Sequence, residues 1–556
     1  MPENAGPVAR ILRLVKLERK EITAVYFYAI LNGLIQLSLP LGVQAIIGFV
    51  LGATMRASLI VLIGLVVTGV LVAGIMQVNQ MKIIEKIQQK IFVRYAFAFA
   101  AHIPRLDLKK NDNIYLPELV NRFFDIPVLQ KSLSKILLDI PTASIQILFG
   151  LLLLSFYHPL FILFGLILIL LLWLIIRYTG NRGLETSIEE STFKYKVAGW
   201  LEETARVIKS IKLAKSNYLH LQKTDEHVTG YLDARNSHFR ILLMQYHVLV
   251  IFKTIITAAM LIVGTLLLVN QQLNIGQFIA AEIIILLILN SVEKLIMNLG
   301  SVYDTLTSVE KIANLTDKPA EADATMLLLE NGKGLKVELK ELGFSYDDEI
   351  QILKNISVLI NPGERVCVQG IDSSGKSTLL RLMAGAYTGF SGDLLLDNAP
   401  LGNYNLASVR SHVGVLINQQ DIFHGTVLEN ISLGNENISM RDVIQIATQV
   451  GLATFIAGLK MGYDTVLDPT GKRLPRSIVH KILLVRALAG KPRLLLLEEP
   501  WQDPTNADGQ RITDLLMGLE NTTLVVVTND ESFAKQCDKI MIIKNGTAII
   551  KTNQHG

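Results

Sequence analysis

Six apolar stretches limit what this chain can fold into. They run roughly over Ile22–Val50, Leu59–Val78, Ile140–Tyr157, Leu160–Tyr178, Tyr246–Val269 and Ile275–Met297. Most are close to the ~20 residues that cross a bilayer as a helix. Half of the 556 residues are hydrophobic and 18% are charged, which excludes a soluble single domain and asks for two or three domains. The connections alternate in length. Gly52–Ser58, His158-Pro159 and Asn270–Asn274 are short and hold one basic residue, Arg56, whereas about Asn79–Asp139 and Thr179–Met244 are long and rich in Lys and Arg. Loops on the cytoplasmic side collect positive charge, so the long loops and both termini are expected in the cytoplasm, with the spans in the inner membrane.

Ahead of the first span, Arg10, Arg13, Lys16, Arg19 and Lys20 interleave with Ile11, Leu12, Leu14, Val15 and Leu17. This predicts an amphipathic elbow helix over 1–21, lying on the inner membrane surface. Met81–Ala101 and Glu189–Lys215 keep helical spacing, so the spans are expected to continue as helices beyond the bilayer. Arg105–Leu119 and the stretch around Tyr218 break that spacing and suit either short helices touching another domain or plain loop. Charges within spans are costly and call for a role. At ~1.5 Å per residue, Lys253 and Glu293 fall at one depth and are expected to pair. Glu282 has no partner at its own depth, which leaves a substrate-cavity role and a protonated carboxyl both open. The membrane domain then covers 22–297. The stretch 298–330, mixed in charge and without a long apolar run, reads as a linker. A net charge of +4 gives no argument for a nucleic-acid partner. Cys367 and Cys537, far apart in the second half, read as buried core residues rather than a disulfide framework.

Over 331–556 short β-rich runs alternate with helical ones, an α/β pattern. Within it Gly370-Ile371-Asp372-Ser373-Ser374-Gly375-Lys376-Ser377-Thr378 satisfies G-x-x-x-x-G-K-[ST]. A predicted strand, Arg365–Gln369, precedes it and a predicted helix, Leu379–Ala384, follows, the context in which this loop cradles phosphates with consecutive N–H groups. Lys376 is expected to reach the β- and γ-phosphates of ATP, and Ser377 the Mg²⁺. Further on, four leucines end in two carboxylates, Glu498 and Glu499, a pattern that places one acid on the metal and one on the attacking water. Tyr346 reads either as an aromatic platform for adenine or as a core tyrosine.

Taken with Gly343-Phe344-Ser345-Tyr346, Gly425–Ile431, Gly462–Thr465 and Arg486-Ala487-Leu488, these motifs resemble, in order and spacing, the nucleotide-binding domain of an ATP-binding-cassette (ABC) exporter. The resemblance implies a multi-domain fold: a six-helix transmembrane domain plus an α/β P-loop nucleotide-binding domain. It implies a half-transporter that works as a pair of chains, with Glu499 as the catalytic glutamate. Short segments, Asn274–Ala280 and Leu119–Phe123, are similar to haemolysin- and bacteriocin-type exporters, which move proteins or peptides, often with a periplasmic adaptor. The roughly twenty residues before the first span leave no room for the peptidase-like domain such exporters often carry.

Several positions depart from the family pattern. Glu498 stands where the family has aspartate. The signature loop Leu-Ser-Gly-Gly-Gln falls on Leu474-Pro475-Arg476-Ser477-Ile478, where Pro475 lacks both hydroxyl and N–H and Arg476 adds bulk, although its charge suits a phosphate. Asn529 takes the place of the switch histidine, and Asn418 that of the metal-sensing glutamine, with Gln419 next to it. Gln502-Asp503-Pro504-Thr505 replaces the loop between subunits. ATP binding is therefore expected to be intact and hydrolysis attenuated. A heterodimer with an intact second half-transporter is favoured over a homodimer. The competing reading is a non-hydrolysing regulatory or scaffold subunit that senses ATP.

Overall fold

The structure, a computed structural model, describes residues 6–51, 56–112, 114–215, 218–322, 324–347, 350–418, 421–468 and 474–553. It divides into two compact units: Met1–Pro104 with Ile114–Lys318, and Arg105–Asn113 with Pro319–Gly556.

The first unit is helical, and six of its helical stretches are long and apolar enough to cross a membrane. Each predicted span lies in one of them. The first is interrupted at Leu37, between Arg19–Gln36 and Ser38–Leu51. Pro40 explains the break, because its ring collides with the carbonyl four residues earlier and it has no N–H to donate. Arg56–His102, Leu160–Arg206 and Leu219–Val269 contain 47, 47 and 51 residues. At ~1.5 Å per residue each is roughly twice the ~30 Å hydrocarbon core or longer, so the stems extend well beyond it as expected. The remaining long helices are Asp125–Tyr157 and Ile275–Met297, the latter opened by a capping box between Asn274 and Gln277. Lys253 and Glu293 do pair, at 2.6 Å.

One expectation gains a detail here and one is corrected. The amphipathic helix exists, as Pro7–Leu17, and one side of it is held by other helices of its unit. Arg10 pairs with Asp317 at 2.6 Å, and Glu18, just past its end, is buried between Lys90 and Arg94. As the chain runs from residue 18 back to 10, its partners move from Arg94 toward the His102–Lys318 contact, so the helix follows the stem. The supposed linker is different, since Leu299–Thr316 is a helix of the first unit and the second begins at Pro319. Its buried face mixes Val309, Ile312 and Leu315 with hydroxyls that bond across to other helices, Thr307 to Ser187 at 2.8 Å and Thr305 to Ser132 at 2.7 Å. A search for apolar runs passes over such a face.

The second unit is α/β. A four-stranded antiparallel sheet contains Val337–Ser345, Gln351–Ile360, Ser391–Leu396 and Ala399–Pro400. A six-stranded, mostly parallel sheet runs in the order Thr547–Thr552, Lys539–Lys544, Arg365–Gly370, Thr523–Val527, Leu494–Glu498, Val413–Leu416. Its central strands are buried on both faces, as their unbroken Leu and Val runs require. Residues Arg105–Asn113 belong to this unit. Lys109 donates to the Gly389 carbonyl at 2.7 Å and lies 5.0 Å from the centre of the Phe344 ring. Leu106 is buried and bridges to Ala320. Of the stretch Arg105–Leu119 that broke helical spacing, the first part is thus a docking segment, while its end enters the short helix Leu116–Val120 of the first unit.

Candidate nucleotide-binding site

Three neighbouring parallel strands set the site. Val527 is in register with Val368 on one side and Glu498 on the other. The chain leaving each strand at its carboxyl end therefore reaches one edge, where open α/β sheets hold their ligands. Arg365–Gly370 leads into the phosphate loop, and the helix Lys376–Met383 follows directly. Gly375 caps that helix with φ +102°, and a Cβ there would come within 2.6 Å of Leu353. A glycine is needed on both counts.

Within the loop, the Lys376 ammonium donates to the carbonyls of Gly370 and Ile371, each at 2.7 Å. Ile371, Asp372 and Ser373 are exposed, and the Ser374 hydroxyl is buried without a hydrogen-bond partner. Ser377 donates to Glu498 at 2.6 Å, and the Asn418 backbone N–H donates to the other oxygen of the same carboxylate at 2.9 Å. Asn418 thus joins the cluster through its main chain while the residue itself is exposed; Gln419 lies outside the described residues. Two hard oxygen donors, the Ser377 hydroxyl and the Glu498 carboxylate, meet at the start of the loop helix, a set that suits Mg²⁺ bound together with phosphate oxygens.

Glu499 follows with φ +45°, an unusual left-handed backbone for this residue type, held by its N–H to the Val527 carbonyl at 2.9 Å. The Thr528 hydroxyl donates to its carboxylate at 3.2 Å. Glu499 stays accessible to solvent, yet the protein around it pushes its carboxyl above the usual glutamate range, with the Thr528 bond opposing and the Glu498 charge adding to the rise. Asn529 accepts from the Gly370 N–H at 3.2 Å, tying the switch position to the first residue of the loop.

Tyr346 is half-buried, edge-on to Phe344 at 5.1 Å and to Tyr387 at 5.4 Å. Its hydroxyl meets that of Thr378 at 2.9 Å. It therefore belongs to an aromatic cluster of the core and touches the phosphate loop. The signature positions stand apart. Pro475 is the N-cap of the helix Arg476–Ala489 and makes no side-chain cap, while its carbonyl accepts from the N–H of Ile478 at 2.9 Å. Among the described residues no hydrogen bond or ion pair joins Pro475 or Arg476 to the phosphate loop. Sequence reading missed His480, which lies one turn after Arg476 on the same helix. Burial lowers its pKa, and a hydrogen bond to the Glu499 backbone opposes that shift. Its only sequence signal was a lone polar ring on a half-buried helix.

The comparisons with known proteins agree with this geometry. The family model of the ABC transporter matches residues 353–502, and that of the ABC transporter transmembrane region matches 22–292, together about three quarters of the chain. The cyclolysin secretion/processing ATP-binding protein of Bordetella pertussis is 26% identical over 350 residues, 62% of this chain and 49% of that protein. The alpha-hemolysin translocation ATP-binding protein of Escherichia coli O157:H7 is 27% identical over 357 residues, again 62% and 49%. The chain therefore matches about half the length of these relatives. An uncharacterized ABC transporter ATP-binding protein of Bacillus subtilis is 24% identical over 99% of this chain and 92% of its own. The solved structure of a bacterial Atm1-family ABC exporter with ATP bound shares the fold, with TM-score 0.85 over 97% of this chain and 96% of that one at 18% identity. A six-span membrane region and a single ATP-binding cassette follow one another in one polypeptide: the chain is a multi-pass membrane protein of the ABC exporter family, with the layout of a half-transporter.

Proposed function

We propose that this half-transporter couples ATP binding, with slow hydrolysis, to export of a peptide or protein across the inner membrane, its nucleotide-binding unit facing the cytoplasm. The single observation that carries the reading is the Glu498 carboxylate, shared between Ser377 and the Asn418 main chain, with Glu499 beside it in a fixed pose. Ser377 and Glu498 are the residues that would hold Mg²⁺, which would supply charge neutralisation at the phosphates. Lys376 exchanges its loop carbonyls for phosphate oxygens. Thr528 orients the Glu499 carboxylate, which takes the proton from the attacking water once it is ionised. Pro475 and Arg476 replace the hydroxyl and the bare backbone that would close over the opposite nucleotide, so turnover is slow. This favours pairing with a different half-transporter, one whose intact signature faces Lys376 and Glu499. The relatives named for cyclolysin secretion and alpha-hemolysin translocation support a polypeptide substrate.

The test uses the full chain in lipid nanodiscs. Lys376→Ala is expected to weaken binding of a fluorescent ATP analogue by tenfold or more. Glu499→Gln is expected to bind as wild type while losing the residual turnover. Binding that survives Lys376→Ala, or turnover that survives Glu499→Gln, refutes the assignment. The intact mass of the complex from native membranes reports the partner: two identical chains would overturn the heterodimer.

A further inference from the structure

Three helices of the first unit border a cavity of about 310 Å³: Pro7–Leu17, the last turns of Arg56–His102, and the end of Leu299–Thr316 with Asp317. Most of its wall is apolar, with Leu14 from the first helix, Ala98 from the second and Ile312 from the third. Three guanidiniums, those of Arg10, Arg13 and Arg94, line it as well, against one carboxylate, Asp317. That carboxylate is already held by Arg10 at 2.6 Å. Arg94 donates through one nitrogen to Glu18, and its Nη1 is buried without a hydrogen-bond partner. Among the described residues Arg13 makes no hydrogen bond or ion pair, and the Tyr95 hydroxyl makes no hydrogen bond. Donors on three residues of one cavity are thus without an acceptor.

Guanidinium forks match carboxylates and phosphates, and a tyrosine hydroxyl adds a neutral donor. A neutral apolar ligand would leave these donors covered and without acceptors, and the arginines repel a cation. An inorganic anion would answer the charge but leave the apolar wall uncovered. The matching ligand carries an anionic head on an apolar body. The volume is at the lower end for ligand pockets, which suits one short chain rather than a two-chain phospholipid. We propose that this cavity is a binding site for single-chain anionic amphiphiles, such as medium-chain carboxylates and alkyl phosphates. The head meets Arg13, Arg94 and Tyr95, and the chain lies against Leu14, Ala98 and Ile312. The site shares no residue with the nucleotide-binding site. An occupant touches three helices at once, among them Leu299–Thr316, the last element before the second unit begins at Pro319.

The probe is decanoate, competing with a diazirine-bearing decanoate photolabel on the full chain in phosphatidylcholine nanodiscs. The label is expected on peptides covering 94–102 and 309–317. Decanoate should displace it at roughly tenfold lower concentration, or less, than decyltrimethylammonium or inorganic phosphate does. Arg13→Ala should weaken displacement about tenfold, and Arg13→Lys should keep most of it. Ala98→Phe, which fills the cavity, should abolish labelling. Lys16→Ala removes a charge from the same helix outside the cavity and should change nothing. Label spread evenly over the spans, equal displacement by the cation or by phosphate, or an Arg13→Ala variant that binds as wild type overturns the assignment. So does a loss with Lys16→Ala as large as with Arg13→Ala. Phosphatidylglycerol added to the discs should leave the label in place; displacement by it would give the cavity to a bilayer lipid and overturn the single-chain ligand. Binding of the fluorescent ATP analogue should be unchanged in every variant, which checks the fold.

Discussion

Replacing Glu498 by aspartate, the acid the wider family carries, is expected to harm this protein. Glu498 is only 8% exposed and accepts from Ser377 at 2.6 Å and from the Asn418 N–H at 2.9 Å. Aspartate withdraws the carboxylate by one methylene, roughly 1.5 Å, which puts both donors beyond hydrogen-bond reach unless the backbone follows. A buried donor left without its acceptor costs about 1–3 kcal/mol. Ser377 is half-buried and Asn418 exposed, so water meets part of each loss and the two together give about 2 kcal/mol. For a unit of this size that lowers the melting temperature by roughly 4–8 °C. Glu498→Gln keeps the reach and loses only the charge, so it should cost about 1 kcal/mol or less. The assay is calorimetric unfolding of the nucleotide-binding unit within the full chain in nanodiscs, with EDTA present. The order of melting temperatures decides: wild type, then Gln, then Asp. An aspartate variant that melts with wild type, or above the glutamine variant, would show that reach is not what holds Ser377 and Asn418 together.

Two further predictions concern other parts of the chain. Burial raises the Glu499 pKa and the Thr528 hydroxyl opposes the rise. Glu499 acts as a base only when ionised, so turnover should increase with pH through that raised pKa. Thr528→Val removes the opposing bond and should move the acid limb of the pH–rate profile to higher pH; an unmoved limb would dissociate the two residues. Lys253 and Glu293 meet at 2.6 Å with each side chain 33% exposed. A double-mutant cycle to alanine, read by thermal unfolding, should give a coupling of about 0.5–1 kcal/mol, and zero coupling would make the contact incidental.

What could be read in advance follows from how local the determining chemistry is. The phosphate loop, the four-leucine strand with its two acids and the six spans each declare themselves within one continuous stretch of about thirty residues or fewer. Even the Lys253–Glu293 pair follows from helical rise alone. The bridging role of Glu498 was not legible, because it depends on a backbone N–H 80 residues away. Nor was the helix Leu299–Thr316, since its buried face relies on Ser132 and Ser187 to satisfy its own hydroxyls. The partner of Arg10 on the Pro7–Leu17 helix was not legible for a similar reason, because Asp317 comes far later in the chain.

The segment Arg105–Asn113 has a consequence for the order of events at the ribosome. Lys109 hydrogen-bonds to a residue 280 positions later in the chain. At ~5–20 residues per second of synthesis, that segment waits roughly 15–55 s for its partner to be made. Leu106 waits 214 residues for Ala320 to be made, and the Lys109 cation 235 residues for the Phe344 ring it will cover. The nascent membrane half must therefore carry an unfinished surface until translation is nearly three quarters complete. Slowing elongation across the later spans should raise capture of this intermediate by holdase chaperones, before any defect in the nucleotide site could be felt.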